Sequence, residues 1–176
     1  TGDIHQKTYP RSALKFLQHL VLLESGAAEH FQFTLAEIAL MAGSHNGESH
    51  HVETAQSILQ KIGLGESHLQ CGAHPPFWPA EAERFFRLNR TANQLFNNCS
   101  GKHASMLATC VAAGWPTDKS YLSAEHALQT HITNMIPSLA GEPAAHIAVD
   151  GCGAPAHALS LIGLARAFRT IAIAAE

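Results

Sequence analysis

The sequence predicts a mainly helical domain with few strands. Three observations lead there. Apolar residues recur at helical spacing through most of the chain, glycine closes almost every such stretch, and only His146–Val149 reads as a strand. A lone strand is not stable without sheet partners. Those partners are either weakly signalled in this chain or belong to sequence outside it.

The elements follow in order. Arg11 to Glu24 carries apolar residues at 13, 14, 16, 17, 20, 21 and 23, a broad helical face that Ser25-Gly26 ends. Thr34-Leu35-Ala36-Glu37 is a capping box that opens a short helix to Met41, stopped at Gly43. Ser44 to Gly47 is a loop, and helix returns from His51 to Ile62. Cys71-Gly72-Ala73-His74-Pro75-Pro76 is loop, because its prolines bar both helix and central strand. Pro79 starts a helix through Arg87, and Asn97 to Ser100 caps an apolar helix from Gly101 to Ala113, ended by Gly114. Ser123 to Ile136 and Ala156 to Ile171 are the remaining helices. Trp78, Phe85 and Phe86 read as a packing cluster and Cys110 as core.

A chain of 176 residues suits a single domain with a real core, and an apolar fraction of 46% excludes disorder. Charged residues make up only 14%, against about a quarter in ordinary domains. Much of the surface is therefore neutral or covered, which favours an oligomer, expected to be a homodimer, or a domain missing its neighbour. The formal charge of −3 excludes a nucleic-acid partner. No apolar run has the length of a membrane span, so no membrane partner is expected. The four cysteines sit in settings suited to ligands or nucleophiles, which fits a reducing, cytoplasmic location. Protonating all thirteen histidines would carry the charge from −3 to +10, so with most of them exposed the chain should swing strongly positive below about pH 6.

Two short runs bear the chemistry: Cys99-Ser100-Gly101-Lys102-His103 and Asp150-Gly151-Cys152-Gly153. Each sets a thiol among small, flexible residues beside an ionisable one, unlike a packed core cysteine. Cys99 and Lys102 are three apart at a helix start, where exposed amides favour a thiolate. Thiolates converging from distant sequence could bind zinc, and by spacing alone they could equally be two unlinked thiols. Ser12 and Lys15 are also three apart, so a neutral lysine could take the serine proton, as in other Ser-x-x-Lys nucleophiles. Taken alone, that pair reads as a helix cap beside a solvated lysine. Ser44, in Ser44-His45-Asn46-Gly47-Glu48, likewise reads as a turn or as a second hydroxyl for catalysis.

Together the motifs resemble the rhizobial-type asparaginase II family. The matching segments are Arg11-Ser12-x-x-Lys15, Ser44-His45-x-Gly47-Glu48, Cys71-Gly72-x-His74-x-Pro76, Asn97-Asn98-Cys99-Ser100-Gly101-Lys102-His103 and Asp150-Gly151-Cys152-Gly153-Ala154-Pro155. They run in the family's order over nearly the whole chain. The resemblance implies the helical N-terminal portion of a β-lactamase- or glutaminase-like α/β fold, with the sheet incomplete and 1–176 the first and middle part of a longer protein. It implies Ser/Lys hydrolysis of L-asparagine to L-aspartate and ammonia. By position Ser12, Lys15 and Ser44 match the catalytic residues, Arg11 and Asp150 those near the substrate's charged groups, and Cys99, Lys102 and Cys152 the zinc ligands. Ser105 and Ser160 replace a glycine and a proline of the family pattern.

The zinc is expected to anchor substrate rather than to make hydroxide. Two other readings stand beside this one. One is a zinc-binding module without catalysis. The other is a truncated, inactive homologue whose sheet edge pairs with a second copy. Glutamine or a β-lactam is the closest alternative substrate, and no Lys-Thr-Gly run supports the latter.

Overall fold

The structure, a computed structural model, describes residues 2–174. Among these, eight α-helices and four short strands form a mainly helical fold. Strand β1 (Lys7–Thr8) leads through a 3-10 turn at 11–14 into α1 (Lys15–Glu24), followed by α2 (Ala27–His30), α3 (Leu35–Ala42) and α4 (Ser49–Lys61). Then come α5 (Pro79–Arg87), α6 (Ser100–Ala113) and α7 (Ala127–Ala140). Strands β2 (Ile147–Val149), β3 (Pro155–His157) and β4 (Leu159–Ser160) precede α8 (Leu161–Ala174).

Helix α6 is the axis of the domain. Every residue from Ser100 to Cys110 is buried, and α1, α3, α4 and α7 pack around it, with α8 lying on α7. The local signals behave as their chemistry dictates. Thr34 and Glu37 close a reciprocal capping box on α3, and Pro79 occupies the first turn of α5. Gly114 and Gly141 end α6 and α7 in the left-handed conformation that suits glycine at a helix stop.

Four expectations change. The last helix begins at Leu161, not at Ala156, because Pro155 to Ser160 is drawn into strands. Strand β2 therefore finds its partner nearby, pairing antiparallel with β3 through Ile147–His157, Ala148–Ala156 and Val149–Pro155. Alanine-rich residues carry no alternation to announce this, so the hairpin turn sets it. Trp78 and Phe86 are exposed, and only Phe85 packs inward, edge-on to Phe96 with ring centroids 5.1 Å apart. The histidines are less exposed than expected: His19, His45, His103, His126 and His157 are buried. Burial holds His19, His45 and His157 at about 4, so the charge gained below pH 6 is smaller than the sequence suggests.

Among the described residues, no helix is long and apolar enough to cross a membrane. The substituted serines are absorbed structurally. Ser105 Oγ lies 3.0 Å from His19 Nδ1, and Ser160 Oγ accepts the Gly163 N–H at 3.0 Å.

Glu142 ties the second pair of strands to the helices. It accepts Lys7 Nζ at 2.6 Å and the Ser160 N–H at 2.7 Å, where β1 pairs with β4. The Lys7 hydrogen bond holds its carboxyl down at about 2. A carboxyl lowered by folding stabilises above its unfolded pKa and loses that contribution as pH falls toward the folded value. Glu142→Gln should therefore lower the urea midpoint modestly at neutral pH, by under about 1 kcal/mol for so solvated a pair. The gap between variant and parent should narrow between about pH 4.5 and pH 2; a gap that widens there would contradict this contact.

Candidate active site

Four chain segments meet at one end of α6: the start of α1, the loop after α3, the turn before α6, and the tip of the β2–β3 hairpin. Each is held by its own local chemistry. Asp150 to Ala154 form the hairpin turn, with the Asp150 N–H donating to Ala154 O and the Gly153 N–H to Asp150 O, both at 2.9 Å. Gly153 has φ +84°, a conformation that side chains resist. The turn carries Cys152 to the start of α6.

Before α6, the Asn97 side chain accepts the Cys99 N–H at 2.8 Å and donates to Cys71 O at 2.8 Å. This Asx turn sets Cys99 at the helix cap and pins the 71–76 loop to it. His74 accepts the Asn98 N–H at 3.0 Å on Nε2, and Phe77 stacks on its ring with centroids 4.2 Å apart. His74 does not turn toward Cys71, whose thiol is buried against Gln94 O and pushed up to about 12.

Lys15 is 1% exposed. Its amine does not go to Ser12, one turn earlier; it donates to Ser44 Oγ at 2.7 Å, Gly43 O at 3.1 Å and Asn98 O at 3.3 Å. The 3-10 turn at 11–14 makes this possible by starting α1 at Lys15 itself. Burial draws the Lys15 amine below the ordinary lysine range, nearby Lys102 adds to this, and the Cys99 thiol opposes it. His45 clamps the Ser44 loop. Its Nδ1 accepts the Gly47 N–H at 3.1 Å, so Nε2 carries the proton toward Ser100 Oγ at 2.8 Å, which itself donates to Leu95 O.

Lys102, 3% exposed, donates to Cys152 Sγ at 3.1 Å. Cys99 and Cys152 are free, buried thiols that line the same cavity. The Cys99 hydrogen bond lowers Cys152, with His103 and Lys102 assisting and burial opposing; the same bond raises Cys99. Among the described residues, no three His, Cys, Asp or Glu side chains gather to hold a metal ion. Any ion here would need the Lys102 amine beside the two sulfurs.

A cavity of about 630 Å³ opens over these groups, lined by Arg11, Ser12, His74, Phe77, Asn98, Cys99, Asp150 and Cys152. Arg11 Nε donates to Asp150 Oδ1 at 2.9 Å, and the backbone of Arg11 sits at φ +49°, which turns this exposed side chain back toward the hairpin. Ser12 faces the cavity directly, whereas Ser44 lines a separate cleft of about 300 Å³ beside His45, His50 and His51. The sequence sets His45 beside Ser44, where it braces the loop, but says nothing of Tyr121, which supports α6 through His103.

Close approach of α3 to α6 holds the arrangement together. A Cβ on Gly101 would collide with the Leu40 carbonyl, just before Gly43 and Ser44. Gly101→Ala should destabilise the fold by about 2 kcal/mol through overpacking, read as a lower urea midpoint. A variant as stable as the parent would show that this helix contact is not tight.

Comparison with curated proteins gives no significant match. The family model described as L-asparaginase II matches residues 1–176, and with the whole chain covered, the protein belongs to the L-asparaginase II family.

Proposed function

We propose that this chain hydrolyses the side-chain amide of L-asparagine to L-aspartate and ammonia. The observation that carries the proposal is a single cavity exposing a serine, a guanidinium and a carboxylate beside a thiol pair, in a member of the L-asparaginase II family. A buried lysine already bonded to a second serine stands behind it.

The exposed Arg11 guanidinium, oriented through Nε by Asp150, receives the substrate carboxylate, and the second oxygen of Asp150 receives the ammonium. Ser12 lines this cavity, so we assign the attack to it. Its oxygen bonds to the amide carbon while its proton passes to a neutral Lys15 amine, which for this step must turn from Ser44, its partner in this structure, to the Ser12 hydroxyl one turn earlier. Collapse breaks the carbon–nitrogen bond as Lys15 returns the proton to nitrogen, and ammonia leaves. Water then gives a proton to Lys15 and adds to the ester; aspartate departs and the Ser12 hydroxyl is restored. Ser44 is the partner that fixes Lys15 between turnovers.

The donor set suits zinc. Thiolates of Cys99 and Cys152 are soft ligands for this ion, and the Lys102 amine already approaches Cys152 at 3.1 Å. These three residues would hold it. When bound, it would supply a Lewis-acidic anchor for substrate beside an open cavity.

An electrophilic diazoketone analogue of asparagine, followed by peptide mass spectrometry, tests the assignment of roles. Label is expected on Ser12, and Ser12→Ala should lose about a thousandfold or more in kcat/KM for ammonia release. Lys15→Met should lose comparable activity and also lower stability by about 1–3 kcal/mol, because Gly43 O, Ser44 Oγ and Asn98 O lose their donor. Label on Ser44 instead, or full activity in Ser12→Ala, would overturn the scheme.

A further inference from the structure

The asparagine assignment leaves one wall of the cavity unused. The charged groups of the substrate go to Arg11 and Asp150 and its amide to Ser12, whereas His74 and Phe77 line the same space with aromatic rings. These rings are stacked, with centroids 4.2 Å apart and planes 12° from parallel. Both are held in place from outside the cavity. His74 donates from Nδ1 to Pro75 O at 2.7 Å and accepts the Asn98 N–H on Nε2 at 3.0 Å. The Phe77 N–H donates to Asn46 O at 2.8 Å, which ties this wall to the loop after α3. His74 covers one face of the Phe77 ring, yet Phe77 remains 59% exposed. The volume of about 630 Å³ also exceeds what a free amino acid fills; cavities of about 300–1,000 Å³ enclose drug-sized ligands.

We propose that the cavity also takes β-aspartyl amides of aromatic amines, in which an aryl group on the side-chain nitrogen of asparagine packs against Phe77. With the amino and carboxylate groups held at Arg11 and Asp150, that nitrogen substituent is the part of the molecule left to fill the remaining space. Aromatic rings packed offset or edge-on gain binding beyond the area they bury. The inference rests on the asparaginase reading and widens its leaving group from ammonia to an arylamine. The chemical steps carry over. The Ser12 oxygen bonds to the side-chain carbonyl carbon and its proton passes to the neutral Lys15 amine. The carbon–nitrogen bond breaks as Lys15 returns the proton to nitrogen, and the neutral arylamine departs. Water then cleaves the ester, releasing aspartate and restoring the Ser12 hydroxyl. The sum is arylamide plus water to aspartate plus arylamine, with no change of oxidation state.

The test compares L-asparagine with L-aspartate β-anilide on the full chain, following release of ammonia and of aniline, with circular dichroism as a check on folding. The parent should release aniline. In Phe77→Ala the ratio of kcat/KM for the anilide to that for asparagine should fall about 3–10-fold, the size of a lost ring–ring contact, with the change carried by KM. Phe77→Tyr, which keeps an aromatic face, should restore the ratio. A general loss of structure would lower both activities together and leave that ratio unmoved. Asparagine turnover without aniline release, or a parental ratio in folded Phe77→Ala, would overturn the proposal while leaving the asparaginase reading intact. Turnover of neither substrate would sink that reading and this inference with it. Should Phe77→Ala fail to fold, aniline release by the parent decides.

Discussion

Two buried lysines constrain this structure more than any other feature. Lys15 is 1% and Lys102 3% exposed, and each amine ends among acceptors from distant segments. Taking an ammonium out of water costs several kcal/mol, so such a group persists only where partners are supplied at close range. For Lys15 the partners are Gly43 O, Ser44 Oγ and Asn98 O; for Lys102, the sulfur of Cys152. The geometry of the site is largely the geometry needed to satisfy those two amines.

That demand explains why so many loops end at one place. The stop of α3 delivers Ser44, the turn at Asn97 delivers Asn98 and Cys99, and the hairpin tip delivers Cys152. Each is stiffened from outside the cavity. His45 braces the Ser44 loop, Asn97 fixes the cap of α6, and the Gly153 N–H bond to Asp150 O closes the hairpin turn. Rigid support of this kind keeps reactive groups at working distances without help from substrate. Arg11 and Asp150 complete the rim as an oriented ion pair. The cavity therefore presents opposite charges at its mouth and nucleophilic oxygen and sulfur within, a combination suited to a small zwitterionic amide.

How far the sequence discloses this depends on the range of the signal. Helices with local punctuation are legible: the Thr34 box, Pro79 and Gly114 mark their ends within a few residues, whereas the helix expected over 123–136 runs from Ala127 to Ala140. Strand β3 is not legible, because Pro-Ala-His has no alternation and its pairing is set by the turn at 150–154. The thiol motifs are visible by their glycines and ionisable neighbours. Which serine takes the lysine is not, since spacing puts Ser12 beside Lys15 while the 3-10 turn sends the amine to Ser44. Tyr121 is invisible for the same reason: its partner His103 is eighteen positions away and linked only through the fold.

The claim that a lysine amine and a distant thiol are energetically joined is tested most directly by a double-mutant cycle on unfolding free energy, using Lys102→Met, Cys152→Ala and the pair. Contact between buried groups predicts a coupling of about 1–3 kcal/mol. Additivity within about 0.5 kcal/mol would mean that the two side chains do not interact, and the site described here would not exist.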